Sequence, residues 1–303
     1  MPRAIVMRAC GGPDVLRVED VALPPLGPGE VRIRMLAAAV NHSDLEIRSG
    51  AWGIRRADPF PYVPGLEVVG ELLDGGGRVI TMMQGLGGVR SERPGGYQEV
   101  VTVAADACAP LPADIDPLVA AALGLAAVTA HQGLALLGPA RRIGVSGAAG
   151  GVGSVAVALA AARGADVTAI ARPGNEAYLA SLGATRVVAS PPERSLDGAL
   201  DTVAGPLFEP LVAALVDGGR LSVVGAMAGD RVGLTVWELL RGIALTGYSS
   251  ETLDGAALRT AMADVLALRM PPPKFTTFPL ARAAEAHALI ESRGVQGRVL
   301  LVP

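Results

Sequence analysis

The sequence predicts an α/β protein of two domains, one rich in β-strands and the other built on a doubly wound parallel sheet. Three observations predict it: a length of 303 residues, the composition, and a change of pattern near residue 116. A chain of this length ordinarily forms domains of about 100–200 residues each. The residues are 50% hydrophobic, 18% charged and 3% aromatic, which is typical of buried cores and not of disorder.

The segment before residue 116 contains short apolar runs separated by Gly and Pro turns. Such spacing is typical of an all-β unit. The predicted strands cover residues 3–8, 15–18, 31–38, 68–73, 78–82 and 98–103. Helical periodicity is scarce throughout this segment.

After Asp116 the pattern changes to strands that alternate with helices, which predicts a mainly parallel, doubly wound sheet. Asp116 and Pro117 are typical of an N-cap and a first helical position. The predicted strands cover residues 142–146, 167–171, 186–188 and 220–224, and the predicted helices cover 152–163, 176–182 and 206–215. The tail, with helices near 257–268 and 281–291 and a strand at 299–302, fits neither pattern cleanly.

A glycine-rich loop, GAAGGVG at residues 147–153, directly follows the first predicted strand of this second pattern. Gly151, Gly153 and Ala156 satisfy the GxGxxG/A fingerprint of dinucleotide sites. Glycines permit a tight turn and close approach of the backbone to a pyrophosphate, whose charge a helix N-terminus favours. The next strand ends near Arg172, where NAD sites place an acidic residue, so a 2′-phosphate and NADP are favoured. A simple glycine-rich turn and a solvated arginine are the alternatives.

Composition and charge disfavour several other classes of protein. A net charge of -3 without any basic run argues against a nucleic-acid partner. Two distant cysteines, Cys10 and Cys108, and three histidines cannot assemble a zinc site. The uncharged stretch between Asp116 and Arg141 is long enough for a membrane span, but its Gly, Pro and polar residues favour a buried α/β element. Because no secretion signal is recognisable, a cytoplasmic protein is expected.

Several motifs resemble the NADPH:quinone oxidoreductase (zeta-crystallin-like) branch of the medium-chain dehydrogenase/reductase superfamily, in the family's order and over essentially the whole chain. They are NHSD at 41–44 with RSG at 48–50, PGLEVVG at 64–70, AAGGVG at 148–153, LGA at 182–184 and ESRGVQG at 291–297. The resemblance implies a GroES-like catalytic domain of residues 1–116 and 255–303. It implies a Rossmann NADP-binding domain of residues 117–254, an active site in the cleft between them, and a homodimer formed through the sheet edge at 243–248.

The resemblance also implies chemistry without a metal. Zinc-dependent relatives carry a Cys at the position of Asn41 and a His just before Glu67, and both are missing here. The expected reaction is hydride transfer from NADPH to a small electrophilic acceptor, either a quinone or an α,β-unsaturated carbonyl compound such as an enone, enal or enoyl thioester. The alternative is a catalytically silent NADPH-binding protein of the same fold with a regulatory or structural role.

By this resemblance, Asn41, Glu46 and Trp52 are expected on the catalytic side, with Glu46 as a candidate proton donor. Tyr62 is a further candidate to face the acceptor. The expected cofactor contacts are Asn41, Thr129, Ala149, Gly150, Gly151, Val152, Gly153, Arg172, Gly225, Ala226 and Arg293.

The chain also departs from the family pattern. Glu46, Gln132 and Ser190 stand where relatives often carry aromatic residues, which disfavours stacking on a quinone. The chain is short at 72–78 and at 190–201, where little room remains for a crossover helix. Both shortenings lie away from the glycine loop, so an intact cofactor site is expected. Acceptor specificity is expected to depend on the loops at 46–62 and 83–97.

Overall fold

The structure, a computed structural model, describes residues 1–54, 59–88, 90 and 92–303. Residues 55–58, 89 and 91, which belong to the two loops expected to shape acceptor specificity, lie outside the described residues. The strands are β1 Arg3–Val6, β2 Arg17–Asp20, β3 Glu30–Val40, β4 Glu67–Leu72, β5 Arg78–Met82, β6 Val100–Ala104, β7 Cys108–Pro110, β8 Arg142–Val145, β9 Asp166–Ile170, β10 Arg186–Val188, β11 Leu196–Asp201, β12 Leu215–Val223, β13 Ala244–Gly247, β14 Phe275–Pro279 and β15 Arg298–Val302. The α-helices are α1 His42–Ser49, α2 Pro117–Ala135, α3 Gly151–Ala162, α4 Glu176–Ser181, α5 Phe208–Ala214, α6 Val236–Leu239, α7 Gly255–Ala267 and α8 Ala283–Glu291.

The chain divides into two compact units. The first comprises Met1–Leu125, Glu251–Met262 and Lys274–Pro303, and the second comprises Ala126–Ser250 and Ala263–Pro273. The first boundary between these units falls inside α2. The first unit is discontinuous in sequence, because it also contains the last residues of this sequence.

The first unit is built on a seven-stranded sheet with the order β14-β15-β3-β4-β5-β7, in which β6 also pairs with β3. The last strand, β15, lies inside this sheet because it pairs with β14 on one side and with β3 on the other. Strands β1 and β2 form a separate antiparallel pair. This architecture confirms the predicted β-rich unit.

The second unit contains a six-stranded sheet with the order β10-β9-β8-β11-β12-β13, and all its neighbouring strands are parallel. The chain proceeds outward from β8 to β10 and then crosses to β11 on the other side of β8. This reversal is the topological switch point of a doubly wound fold, outside which ligands bind at the carboxyl ends of the strands. The predicted Rossmann-type sheet is therefore confirmed.

The elements that were not predicted include α1, β11 and β14. Helix α1 has only eight residues, and its sequence shows no helical periodicity. Its start depends instead on polar contacts of Asn41. Strand β11 lies within the segment 190–201, which was expected to be too short for a crossover helix. No helix lies between β10 and β11. Strand β14 directly follows a proline run, and its five residues are partly exposed.

Helix α2 has the length and composition of a membrane span, as the only such helix among the described residues. Its backbone is not helical at Gly124, where φ is 34° and ψ is -134°. Most of the helix is buried inside the structure. Its burial agrees with the interpretation of this stretch as a core element.

Candidate active site

The loop between β8 and α3 begins at the switch point of the second unit. Gly147 has a φ of 56°, and its carbonyl oxygen accepts a hydrogen bond from Gly150 N at 2.9 Å, which closes a tight turn. A Cβ at Gly153 would overlap the Gly147 carbonyl oxygen. The first turn of α3 can therefore pack on the loop only when residue 153 is glycine.

The N-terminus of α3 fits the pyrophosphate group of a dinucleotide. Gly150 is the N-cap and makes no side-chain capping bond, and the first turn contains no acidic residue. The N–H groups of a first helical turn lack intrahelical partners, and the helix dipole is positive at this end. The backbone N–H groups of Ala149, Gly151 and Val152 can thus bind phosphate oxygens, while Gly150 closes the turn.

The turn after β11 supports the glycine loop through a buried carboxylate. Asp201 Oδ1 accepts hydrogen bonds from Ser146 Oγ at 2.5 Å and from Ala204 N at 2.9 Å. Ser146 Oγ accepts one from Thr202 N at 2.9 Å. A Cβ at Gly147 would lie 2.5 Å from Thr202 Oγ1, so the two loops pack tightly. Sequence analysis missed Asp201, whose only signal is an acidic residue that ends an apolar strand.

The other predicted cofactor residues of the second unit lie on three elements. Arg172 stands two residues beyond the end of β9, and Gly225 and Ala226 follow β12. Because the strands are parallel, these residues leave the sheet at the same edge as the glycine loop. A Cβ at Gly225 would overlap the Thr202 carbonyl oxygen, so this loop also lies close to the turn after β11. Thr129 is buried within α2.

In the first unit, Asn41 lies between the end of β3 and the start of α1 and is 8% exposed. Its backbone N–H donates to Asp44 Oδ2 at 2.8 Å. Its side-chain Nδ2 donates to Glu67 Oε1 at 2.9 Å, and its Oδ1 accepts from Arg298 Nη1 at 3.1 Å. Residues from β4 and β15 therefore hold both ends of the Asn41 amide.

Glu67 and Arg298 form a buried ion pair beneath Asn41. Arg298 Nη2 lies 2.6 Å from Glu67 Oε1, and the two side chains are 3% and 1% exposed, respectively. Glu67 Oε2 accepts a hydrogen bond from Leu125 N at 2.7 Å, and a Cβ at Gly124 would overlap this oxygen. Burial raises the pKa of the Glu67 carboxyl, whereas Arg298 and these hydrogen bonds lower it. Sequence analysis missed Arg298, whose signal is a charge inside the apolar strand β15.

Asp44 is the second buried carboxyl group of this cluster. Tyr97 donates its hydroxyl hydrogen to Asp44 Oδ2 at 3.1 Å. Burial raises the pKa of Asp44 to about 7, against the opposing effect of the Asn41 and Tyr97 hydrogen bonds. The cluster therefore contains one carboxyl group that changes charge near neutral pH.

Glu46 and Trp52, the other predicted catalytic residues, lie next to each other at the end of α1. The Glu46 side chain is 41% exposed, and its Oε1 lies 3.7 Å from His42 Nε2. Trp52 N donates to the Glu46 carbonyl oxygen at 3.0 Å, and Trp52 is partly buried. Glu46 thus has access to solvent and a neighbouring imidazole.

Two further predicted residues lie elsewhere in the first unit. Tyr62 is 2% exposed, and its hydroxyl donates to the Gly87 carbonyl oxygen, so its ring belongs to the core and does not line an open surface. Arg293 follows α8 with a φ of 55°. Its backbone N–H donates to the Ile290 carbonyl oxygen at 3.0 Å, which closes the end of that helix.

Within the part of the chain that the structure describes, no group of three or more His, Cys, Asp or Glu side chains is arranged to hold a metal ion. The three histidines have different surroundings: His42 Nε2 lies 3.7 Å from Glu46 Oε1, His131 Nε2 lies 3.1 Å from Asp264 Oδ2, and His287 is buried.

Two family models match the chain. The alcohol dehydrogenase GroES-like domain matches residues 27–113, and the zinc-binding dehydrogenase model matches residues 177–301. The first match lies within the β-rich unit. The second begins within the parallel sheet and reaches the last strand.

The chain is also similar to characterised proteins and solved structures. It is 33% identical to an acrylyl-CoA reductase of Ruegeria pomeroyi over 77% of each chain, and 30% identical to a quinone oxidoreductase of Lama guanicoe over 99% of this chain and 97% of that protein. A crystal structure of an NAD-dependent alcohol dehydrogenase superposes with a TM-score of 0.88 at 29% identity, covering 99% of both chains. The mycobacterial protein Rv1454c, solved with NADPH, superposes with a TM-score of 0.84 at 28% identity over both full chains.

Proposed function

The chain belongs to the medium-chain dehydrogenase/reductase superfamily and is an oxidoreductase, and we propose that it transfers hydride from NADPH to a quinone or an α,β-unsaturated carbonyl compound. The observation that carries the proposal is the close packing of Gly153 on the Gly147 carbonyl group at an uncapped helix N-terminus. This arrangement suits a pyrophosphate and few other ligands.

In this proposal the second unit binds the dinucleotide. The backbone of Ala149, Gly150, Gly151 and Val152 holds the pyrophosphate, and Gly153 keeps the loop close to the helix. Thr129, Gly225 and Ala226 contact the nicotinamide end. The cofactor, when bound, supplies the hydride.

Arg172 supports NADPH over NADH. A guanidinium group at the end of the second strand can pair with a 2′-phosphate, whereas NAD sites place an acidic side chain there. The NADPH-bound structure of Rv1454c is consistent with this choice, and the NAD-dependent alcohol dehydrogenase shows that the fold also accepts NAD.

In the first unit, Asn41, Glu46 and Trp52 serve the reaction. Reduction of a C=C bond conjugated to a carbonyl adds a hydride to one carbon and a proton to the other. We assign proton delivery to the Glu46 carboxyl group, which His42 Nε2 at 3.7 Å and solvent can reload. Trp52 offers an aromatic surface to the acceptor, and Arg293 completes the cofactor contacts.

The experiment that tests the proposal is steady-state oxidation of NADPH, and in parallel NADH, with a panel of quinones, enals, enones and enoyl thioesters. The resemblance to acrylyl-CoA reductase supports a thioester among the substrates. We expect turnover with at least one class and a preference for NADPH. Tight NADPH binding without oxidation against the whole panel would show the catalytically silent alternative instead.

We also propose a homodimer formed through β13. This strand is at an edge of the parallel sheet, and among the described strands it pairs only with β12. Exposed apolar side chains precede it in the chain, including Trp237 at 77% exposure and Leu240 at 69%. Exposed apolar patches and unpaired strand edges both favour association with another chain.

A further inference from the structure

Asp201 ends β11 between β8 and β12 of the parallel sheet, and its side chain is fully buried. Its Oδ1 accepts the Ser146 hydroxyl at 2.5 Å, and Ser146 Oγ in turn accepts the Thr202 N–H at 2.9 Å. Thr202 Oγ1 donates to the Ser146 carbonyl oxygen at 2.9 Å. Because Ser146 directly precedes the glycine loop, these bonds fix the start of that loop to the turn at 201–205.

The same carboxylate oxygen also holds the turn itself. It accepts the N–H groups of Val203 at 3.1 Å and of Ala204 at 2.9 Å. Ala204 has a φ of 52°, which residues with a side chain rarely adopt, so these bonds stabilise a backbone that is otherwise disfavoured. The Val203 carbonyl oxygen accepts the Ala228 N–H at 2.8 Å, and Ala204 forms a β-bridge with Gly229. The turn is therefore joined to the loop at 225–229.

We propose that Asp201 is a positioning residue for the dinucleotide, whose single carboxylate connects the glycine loop at 147–153 to the loop at 225–229. The pyrophosphate and the nicotinamide end of the cofactor then bind to two loops that keep one relative position. The inference rests on the proposed function, which assigns the pyrophosphate to the first loop and the nicotinamide end to Gly225 and Ala226. Asp201 needs no contact with the cofactor for this role.

The two loops have little room to move independently of the turn between them. A Cβ at Gly147 would lie 2.5 Å from Thr202 Oγ1, and a Cβ at Gly225 would lie 2.4 Å from the Thr202 carbonyl oxygen. Both glycines thus allow the loops to pack directly on opposite groups of one residue. In such close packing a displacement of the turn must displace both loops.

A carboxylate suits this position better than an amide does. Three donors converge on Asp201 Oδ1, and hydrogen bonds to a charged acceptor are stronger than those to a neutral one. In Asp201→Asn an NH₂ group would replace Oδ2, which has no hydrogen-bond partner among the described residues. A buried donor without an acceptor is costly, so asparagine can preserve the turn only in part.

Three ligands test the connection by equilibrium titration of the full-length protein. Adenosine 2′-monophosphate contains neither a pyrophosphate nor a nicotinamide, 2′-phospho-ADP-ribose adds the pyrophosphate, and NADP⁺ adds the nicotinamide. For Asp201→Ala we expect an unchanged Kd for the first ligand, a rise of about 3-fold for the second, and a rise of about 10-fold or more for NADP⁺. Ser146→Ala should weaken the last two ligands by the same factor, because the bonds to Val203 and Ala204 remain.

Asp197→Asn is the matched control. Asp197 is the other acidic residue of β11, and it also accepts a backbone N–H, from Arg142 at 2.8 Å, and pairs with the Arg142 side chain. It lies at the amino end of the strand, away from the glycine loop. This variant should keep the wild-type Kd for all three ligands.

Hydrogen exchange gives a second readout that needs no ligand. In Asp201→Ala we expect faster exchange of backbone amides in peptides that cover 147–153 and in peptides that cover 225–229. Asp197→Asn should keep the wild-type rates in both. Faster exchange confined to one of the two loops would overturn the connection between them.

The outcomes separate this inference from the proposed function. In Asp201→Ala, equal losses for 2′-phospho-ADP-ribose and NADP⁺, or an equal loss for adenosine 2′-monophosphate, would overturn the positioning role alone. If the wild-type protein does not bind NADP⁺, the proposed function fails and the inference fails with it. Where Asp201→Ala does not fold, Asp201→Asn provides the same comparison with smaller expected losses.

Discussion

Arg172, two residues beyond the end of β9, carries the charge on which the proposed preference for NADPH rests. We expect Arg172→Glu to weaken NADPH binding roughly 100-fold, because it replaces a charge-assisted hydrogen bond to a phosphate with repulsion, and to change NADH binding far less. Kd values from the quenching of protein fluorescence measure both. Arg194→Glu is the control, since Arg194 pairs with Asp217 at 3.1 Å elsewhere on the same unit. Equal losses for the two dinucleotides would remove the argument for phosphate recognition.

Asp44 gives the first unit a pH-dependent stability. Burial raises the pKa of this carboxyl group from 3.8 to about 7, so between these values the folded state holds a proton that the unfolded state has released. Stability must therefore fall as pH rises through this range, by up to about 1.4 kcal/mol per pH unit. Tyr97, Asn41 and Glu67 are the polar groups that influence Asp44, and Glu67 adds a like charge.

We expect Asp44→Asn to cancel this contribution, because the amide stays neutral and its oxygen still accepts from Asn41 and Tyr97. The difference in unfolding free energy between the variant and wild type should shift in favour of the variant from pH 4 to pH 8. Urea titrations at each pH measure it. A difference independent of pH would contradict the raised pKa.

At the scale of residues, the sequence predicted which single residues belong to the candidate site better than it predicted which residues they contact. The glycines of residues 147–153 are required by the conformation of the backbone, and they form a short motif that can be recognised in the sequence. The contact between Asn41 and Arg298 joins positions 257 apart in the chain. No local pattern contains such a pair, since it arises only when β15 is placed beside β3 in the sheet.

Among the elements, the turn from β8 into α3 is the most sensitive to a small change. Gly153→Ala would bring a methyl group onto the Gly147 carbonyl oxygen. We expect NADPH binding to weaken about 10-fold or more, because the loop must move away from the first turn of the helix. Gly233→Ala is the control, since its new methyl group meets only Glu209 Oε1 at 3.8 Å. Wild-type NADPH affinity in Gly153→Ala, measured by calorimetry, would refute this role for the loop.

Strand β11 escaped prediction for a physical reason. Strand β11, with the sequence LDGALD, contains two acidic residues and a glycine, yet it lies at the centre of the parallel sheet. Its acidic residues have specific partners there: Asp197 pairs with Arg142 at 2.6 Å, and Asp201 Oδ1 accepts from Ser146 Oγ. Tertiary contacts compensate for weak strand propensity, and such contacts are invisible in the local sequence.

At the scale of the whole molecule, the exposed apolar side chains Trp237 and Leu240, which precede β13 in the chain, lead us to a prediction about assembly. We expect Trp237→Glu to shift the protein from the proposed dimer towards monomer, because it replaces a large exposed apolar side chain with a charge. Light scattering coupled to gel filtration measures the mass. Leu73→Glu, at an exposed leucine of the first unit, is the control and should leave the mass unchanged. A dimer of wild-type stability in Trp237→Glu would place the interface elsewhere.

The position of β15 has a consequence for synthesis on the ribosome. This strand lies within the sheet between β14 and β3, although its five residues are followed in this sequence only by Pro303. All residues of the second unit are translated by position 273, whereas the first unit still lacks Arg298 and leaves Glu67 without its counter-ion. We therefore expect the half of the protein that is translated first to fold last, and a nascent chain that stops a few residues early to keep that half open and prone to degradation.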